Sequence, residues 1–243
     1  MSRSSQGSPA TQARQRGRRL GLAALLCGLL LAAVGAFAAT GAAAPGTATV
    51  VLGNTSTVPD PSCPELPCQA VGSVTGFQVA NDQVDQPFIV PRAGTIKAWT
   101  LTLAQPTNKQ RAFFNGFFGT PPEARLAILR RVPETNPPRY SLVAQGAIKV
   151  LSPYLGQTVK FGSNLEVEKG DIVGISVPTW APMFSQGLDA KNVWRASRAP
   201  GTCTNSTSIR EGEALEKVNK RATFGCKYTT ARLLYTATLV EGK

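Results

Sequence analysis

The sequence predicts an all-β protein: an antiparallel β-sandwich, jelly-roll-like, with one short helix and a disulfide-pinned loop. Three observations predict it. Over the part of the chain that follows Cys63, apolar residues recur with a period of two and not 3.6. The runs are short and are separated by Pro, Gly and Asn turns. Four cysteines, Cys63, Cys68, Cys203 and Cys226, lie within that same stretch and can staple it.

Taken in order, Phe88-Ile89-Val90 is followed by Pro91 and an Ala93-Gly94 turn. Thr95 to Leu103 then places Trp99, Leu101 and Leu103 on one face and Ala98, Thr100 and Thr102 on the other, which is the pattern of a half-buried strand. Phe113, Phe114, Phe117 and Phe118 fall at i, i+1, i+4 and i+5, one stripe of a helix, with Gly119 placed as its C-cap and Pro121-Pro122 barring continuation. A short helix that plugs the sandwich accounts for these rings. Membrane insertion of the same aromatics beside Lys109 and Arg111 is the alternative. Further strands are expected at Ala124 to Val132, Tyr140 to Val150, Thr158 to Phe161, Leu165 to Val167, Ile172 to Val177, Asn192 to Ala196 and Arg232 to Val240. Lys169-Gly170-Asp171 supplies a corner.

Residues 1–38 read as a signal peptide. The first nineteen carry Arg3, Arg14, Arg16, Arg18 and Arg19 and no acid, an uncharged run extends from Leu20 to Ala39, and Ala36-Phe37-Ala38 is a small-x-small cleavage pattern. An uncleaved N-terminal anchor is the alternative, since about 20 apolar residues can span a bilayer. Both place the remainder outside the cytosol, secreted or held at the membrane by residues 20–39. Residues 39–62, made of Ala, Gly, Thr, Pro and Ser, are expected to be a flexible linker, and residues 63–243 the sandwich domain.

An even set of cysteines outside the cytosol reads as disulfides, with Cys63–Cys68 and Cys203–Cys226 the simplest of three connectivities. The second would pin residues 201–228, a polar insertion of alternating charge, as a projecting loop. Removing the five arginines of the signal and no acid takes the net charge from +12 to +7. That charge favours loose association with anionic surfaces. No basic run is interleaved with aromatics, so nucleic acid is not expected as a partner. The expected partners are envelope polysaccharide or another surface protein, with membrane contact through the N-terminal segment if it is uncleaved.

There is no histidine in 243 residues. Ser-His-Asp and Cys-His machinery and a histidine general base are thereby absent, and Gly174-Ile175-Ser176-Val177-Pro178 departs from the nucleophile elbow at its last position. The expectation is a non-catalytic protein with no cofactor and no metal. A carboxylate-dependent carbohydrate-active enzyme would need only two acids, and Glu166 and Glu168 share a strand face with Asp171 beyond the corner. Asp82 and Asp85 could approach calcium, but the dense oxygen spacing of a dedicated loop is missing.

Binding is easier to support. Trp180 leaves a strand for a Pro-rich stretch and Trp194 lies just beyond, with Arg195 and Arg198 beside it. Tryptophan on a sandwich rim flanked by arginine can stack on a sugar ring, so Trp180, Trp194, Arg195 and Arg198 are the candidate ligand contacts. The opposing reading is that the two indoles seal the end of the sandwich, making a structural surface protein with no small-molecule site.

F-I-V-P-R-A-G-T-I and L-E-V-E-K-G-D-I-V-G-I look like the paired edges of jelly-roll extracellular domains. C-P-E-L-P-C-Q-A-V, T-G-F-Q-V, F-F-N-G-F-F-G, V-P-T-W-A-P, N-V-W-R-A-S-R and A-R-L-L-Y-T-A-T-L, spread over nearly all of the expected domain, resemble uncharacterised secreted proteins of high-GC actinobacteria. That resemblance implies a shared sandwich and brings no catalytic residues with it.

Overall fold

The computed structural model describes residues 47–82 and 84–242, so the expected signal peptide of residues 1–38 lies outside the described residues. The first half of the fold comprises strands β1 (Thr49–Leu52), β2 (Val71–Asn81), β3 (Val84–Asp85) and β4 (Gly94–Thr102), helix α1 (Asn108–Phe118), and strands β5 (Glu123–Arg131), β6 (Arg139–Gln145) and β7 (Lys149–Val150). A 3-10 turn at Ser152–Tyr154 leads to β8 (Thr158–Val167), β9 (Ile172–Ala181), β10 (Phe184–Gln186) and β11 (Val193–Ala196). Helix α2 (Ser206–Arg210) and strands β12 (Arg221–Thr223), β13 (Cys226–Thr229), β14 (Ala231–Leu233) and β15 (Tyr235–Glu241) complete it.

The strands form two main layers. One is a four-stranded sheet in the order β1-β15-β4-β8, and the other runs β12-β6-β5-β9-β2-β11-β13 with β3 added to β2 and β7 to β5. A small β10-β14 pair is hydrogen-bonded as a separate two-stranded sheet. All of the pairings are antiparallel, and the chain changes layer between β2 and β4, β4 and β5, β6 and β8, and β8 and β9, which gives the jelly-roll-like winding. The expected fold class is the one found, and both expected disulfides, Cys63–Cys68 and Cys203–Cys226, are present.

The core lies between the layers. From the four-stranded sheet come Ile96, Trp99, Leu101, Phe161, Ala237 and Leu239, and from the larger sheet Leu126, Ile128, Val173, Ile175 and Val177. Burying one such aliphatic or aromatic side chain is worth about 1.5–3 kcal/mol, so this array is the main source of stability. β15 shows the expected alternation without a break, buried at Tyr235, Ala237, Leu239 and Glu241 and half-buried between.

The larger sheet curls. Its two end strands, β12 and β13, follow one another in the chain with only Phe224 and Gly225 between them, so the sheet edges come together. Gly225 is required at that closure, because a Cβ there would stand 2.5 Å from Pro200. Phe77, Tyr140 and Phe224 pack together at 5.2, 4.9 and 5.7 Å between ring centroids, an aromatic group inside the curl that is continuous with the main core.

Several sequence expectations are corrected. Residues 49–52, assigned to the flexible linker, form the edge strand β1 on β15, and Thr55 and Thr57 accept hydrogen bonds from Arg232. Backbone pairing, which composition does not report, holds this part of the segment. β2 was not anticipated, because it is central in the larger sheet and covered on both faces, and its burial shows no alternation to detect. Thr158 to Val167 is one strand and not two, Tyr140 to Val150 is interrupted at Gly146, and the C-terminal run is divided at Leu234, where the chain passes from β10 to β4 as pairing partner. Residues 201–228 do not project. Leu215 and Phe224 are 7% and 0% exposed, and Thr75, Ser176 and Leu215 are linked by buried hydrogen bonds of 2.6, 2.8 and 3.1 Å. Leu215 and Phe224, buried in a mostly polar segment, fold it back onto the sheet.

Candidate functional site

Trp180 and Trp194 do not form a platform. Trp180, 1% exposed near the end of β9, packs at 5.1 Å against Phe114 of α1, and its Nε1 donates to Asn115 Oδ1 at 2.9 Å. Trp194, 4% exposed on β11, stacks on Tyr228 at 4.5 Å and meets Phe184 edge-on. Stacking on a sugar requires an uncovered ring face, and neither indole offers one. The covering residues, Phe114 and Tyr228, sit on elements whose placement a local reading cannot supply. Arg198 is likewise structural: it is buried, and its Nη2 donates to Gly72 O at 2.8 Å and its Nη1 to Tyr228 Oη at 3.3 Å.

Arg195 is different. It stands opposite Phe77 across the β2–β11 pairing, and its Nη1 donates to Phe224 O at 2.8 Å, which holds the guanidinium at the end of the curled sheet. There it helps line a cleft of about 300 Å³. Phe77, Tyr140 and Ile172 supply apolar surface, Gln86 an amide, and Arg131 a second guanidinium. Arg131 lies with its Cζ 5.6 Å from the Tyr140 ring centroid and donates its Nη2 to Thr135 O at 3.0 Å. No carboxylate is among the lining residues. Two guanidiniums over an aromatic floor, with no acid among the lining residues, attract an anionic group. Of the four sequence candidates, Arg195 lines this cleft, and Arg131, Tyr140, Phe77 and Gln86, which the sequence does not single out, come from four separate parts of the chain and meet only when the sheet curls.

The candidate carboxylates line another opening, a groove of about 810 Å³. Glu166, Glu168 and Asp171 are brought to it, as the strand-face argument anticipates, together with Arg130. Asp171 is buried and committed: Oδ1 accepts from Arg130 Nε at 2.8 Å, and Oδ2 accepts from Arg130 Nη2 at 3.0 Å and from the Glu168 N–H at 2.9 Å. The bidentate bond to Asp171 holds the Arg130 guanidinium even further above neutrality than usual. Glu166 and Glu168 are exposed, and Glu168 also pairs with Arg130. The cluster ties the Lys169-Gly170-Asp171 corner to β5. It presents no buried carboxyl free to protonate a leaving group.

Asp82 accepts from Asn192 Nδ2 at 2.8 Å and stands 3.6 Å from Arg232, whose guanidinium burial lowers its pKa. Among the described residues no three His, Cys, Asp or Glu side chains come together as a metal site. No helix of the described residues is long and apolar enough to cross a membrane.

The phenylalanine stretch is a helix, as its spacing predicts, opened by a capping box between Thr107 and Gln110. Its burial departs from the plug expectation. Phe114 is buried against Trp180, and Phe118 lies against Gly72, where an added Cβ would stand 2.5 Å from the ring. Phe113 is 62% exposed, stacked on half-buried Phe117 at 5.7 Å and edge-on to Phe114 at 5.6 Å. The residues are one stripe on paper, but a single helix packed against the end of β9 buries only the part of that stripe facing the strand.

Against this geometry, comparison with protein-family models, curated proteins and solved structures gives no match for the chain.

Proposed function

We propose that this is an exported, non-catalytic binding protein of the cell envelope, and that it holds acidic groups of envelope polysaccharide in the cleft between Arg131 and Arg195. The observation that carries the reading is the composition of that cleft: two guanidiniums and an amide around aromatic surface, with no lining carboxylate. A uronate or phosphate-bearing sugar has the matching chemistry, an anion for the fork-like donors and a sugar face for the Tyr140 side. The two disulfides are compatible with a location outside the cytosol. The basic balance of the chain favours the same partners. The resemblance to secreted actinobacterial proteins points to the same compartment.

The test is titration calorimetry of the purified protein with acidic envelope polysaccharide and with its neutralised, carboxyl-reduced counterpart. Arg131→Gln, at an exposed position, should weaken binding about ten-fold, the worth of one charge-assisted hydrogen bond. Arg195→Gln should do at least as much. Binding that is unchanged in both variants, or equal for the neutral polymer, overturns the reading. The emission of the three tryptophans should stay blue and unresponsive throughout, since all three indoles are buried. That sealed state of Trp180 and Trp194 favours the second reading, a purely structural surface protein, which absence of all polymer binding would establish.

A further inference from the structure

We propose that α1 and the Cys63–Cys68 loop form a docking surface for an anionic lipid bilayer, with Phe113 and Leu66 inserting and Lys109 and Arg111 contacting headgroups. The inference deepens the envelope-bound reading above by naming a second surface and its partner. Phe113 is the one aromatic among the exposed large hydrophobic side chains of the described residues, and Leu66, at 86%, is the most exposed of them. They come from segments that are tied together. Gln110 Nε2 at the start of α1 donates to Pro64 O at 2.8 Å, and Cys63 and Cys68 pack in one apolar cluster with Phe114, Phe118 and Trp180.

The outward face of α1 runs through Lys109, Ala112, Phe113 and Gly116, all exposed, and no atom stands within 4 Å of a Cβ placed on Gly116. The helix holds two cations and no acid. Glu65 is the one carboxylate within the six-residue disulfide loop. Beneath the exposed rings the support is rigid: Phe113 contacts Phe114, Phe114 contacts Trp180, and the Trp180 indole is bonded back to the helix at Asn115.

Phenylalanine and leucine carry no polar group with which to read a specific partner. Two such side chains beside basic residues match an interface of acyl chains under acidic headgroups. The apolar contact is small, so binding should depend on the charges and weaken with salt.

The experiment uses the full chain carrying Phe113→Trp, mixed with vesicles of phosphatidylglycerol and phosphatidylcholine or of phosphatidylcholine alone, with bromine on the acyl chains in a parallel set. The native tryptophans are buried, so the new indole reports on this surface alone, whatever residues 20–39 do. With acidic vesicles its emission should shift to the blue and be quenched by the brominated chains. Lys109→Gln with Arg111→Gln should weaken that response about 30-fold, at about one kilocalorie of attraction per basic residue. Leu66→Ser should weaken it independently. Equal response to neutral vesicles overturns the anionic partner. Protein that sediments with vesicles while the emission of residue 113 stays unchanged overturns the surface itself, and leaves a protein partner or a second copy as its occupant. Failure here with the Arg131 and Arg195 effects intact removes only the bilayer, whereas failure of the polysaccharide titration leaves the vesicle result standing.

Discussion

The two disulfide-closed segments use the same covalent staple to opposite ends. Cys63 and Cys68 are 5 residues apart and Cys203 and Cys226 are 23 apart. The short segment has too little chain to fold back on itself, and Leu66 is left facing outward. The long one reaches across the larger sheet. It sends Leu215 into the core, contributes β12 beside β6, and places Phe224 inside the curl before ending on β13 beside β11. The difference teaches that a disulfide fixes where a segment starts and ends, while its length and its few apolar residues decide whether it becomes core or surface.

The comparison can be broken most sharply at its aromatic residues. Phe224→Ala should cost about 3–5 kcal/mol in urea unfolding, because it empties a fully buried site. Phe113→Ala should change stability by no more than about 0.5 kcal/mol, the usual range for an exposed position. Equal losses would mean that the α1 face is not free surface. Next come the staples. Replacing Cys203 and Cys226 together by serine should cost about 3 kcal/mol, and replacing Cys63 and Cys68 about 2 kcal/mol, from the entropy of the loops they close. Thermal melts of the two double variants would read the order, and a reversed order would show that the short loop supports more of the fold than its length implies.

Thr75→Val should cost about 1–3 kcal/mol, since it removes the acceptor of the Leu215 N–H and a partner of Ser176 in a dry setting. Its loss should appear as faster amide exchange in residues 213–217 and none near residues 63–68. The smallest effect at neutral pH belongs to Tyr235, which lies outside both segments, stacked on Phe88 with its hydroxyl donated to Val173 O at 2.9 Å. Burial raises its pKa well above the usual value. The unfolded chain therefore releases this proton first, so stability is unaffected below about pH 10 and falls as pH rises beyond it. Tyr235→Phe should flatten that alkaline decline in a pH series of melts, while either disulfide variant should keep it.

Much of the fold was legible because exposed-edge and one-sided strands leave a pattern. β4, β8 and β15 each have a core face and a wetter face, and their residues alternate accordingly. β2 escaped detection for the opposite reason: covered on both faces, with Gly72, Ser73 and Gly76 among its residues, it carries neither alternation nor strong strand propensity. Of the candidate ligand contacts read from the sequence, only Arg195 lies in the cleft. Trp180 and Trp194 were chosen for being aromatic beside a turn, a local property, whereas their exposure depends on Phe114 and Tyr228, which lie 66 and 34 residues away along the chain.

The sequence by itself determined the class of fold, the helix at the phenylalanine stretch and its end at Gly119, because periodicity, capping and turn chemistry act between near neighbours. The absence of histidine likewise needed no structure. Only the tertiary structure decided that residues 49–52 join a sheet and that residues 201–228 cover one. It also decided that two tryptophans are sealed while a phenylalanine is left in the open. These are outcomes of burial, which is shared among surfaces from distant parts of the chain, and no local window contains both partners.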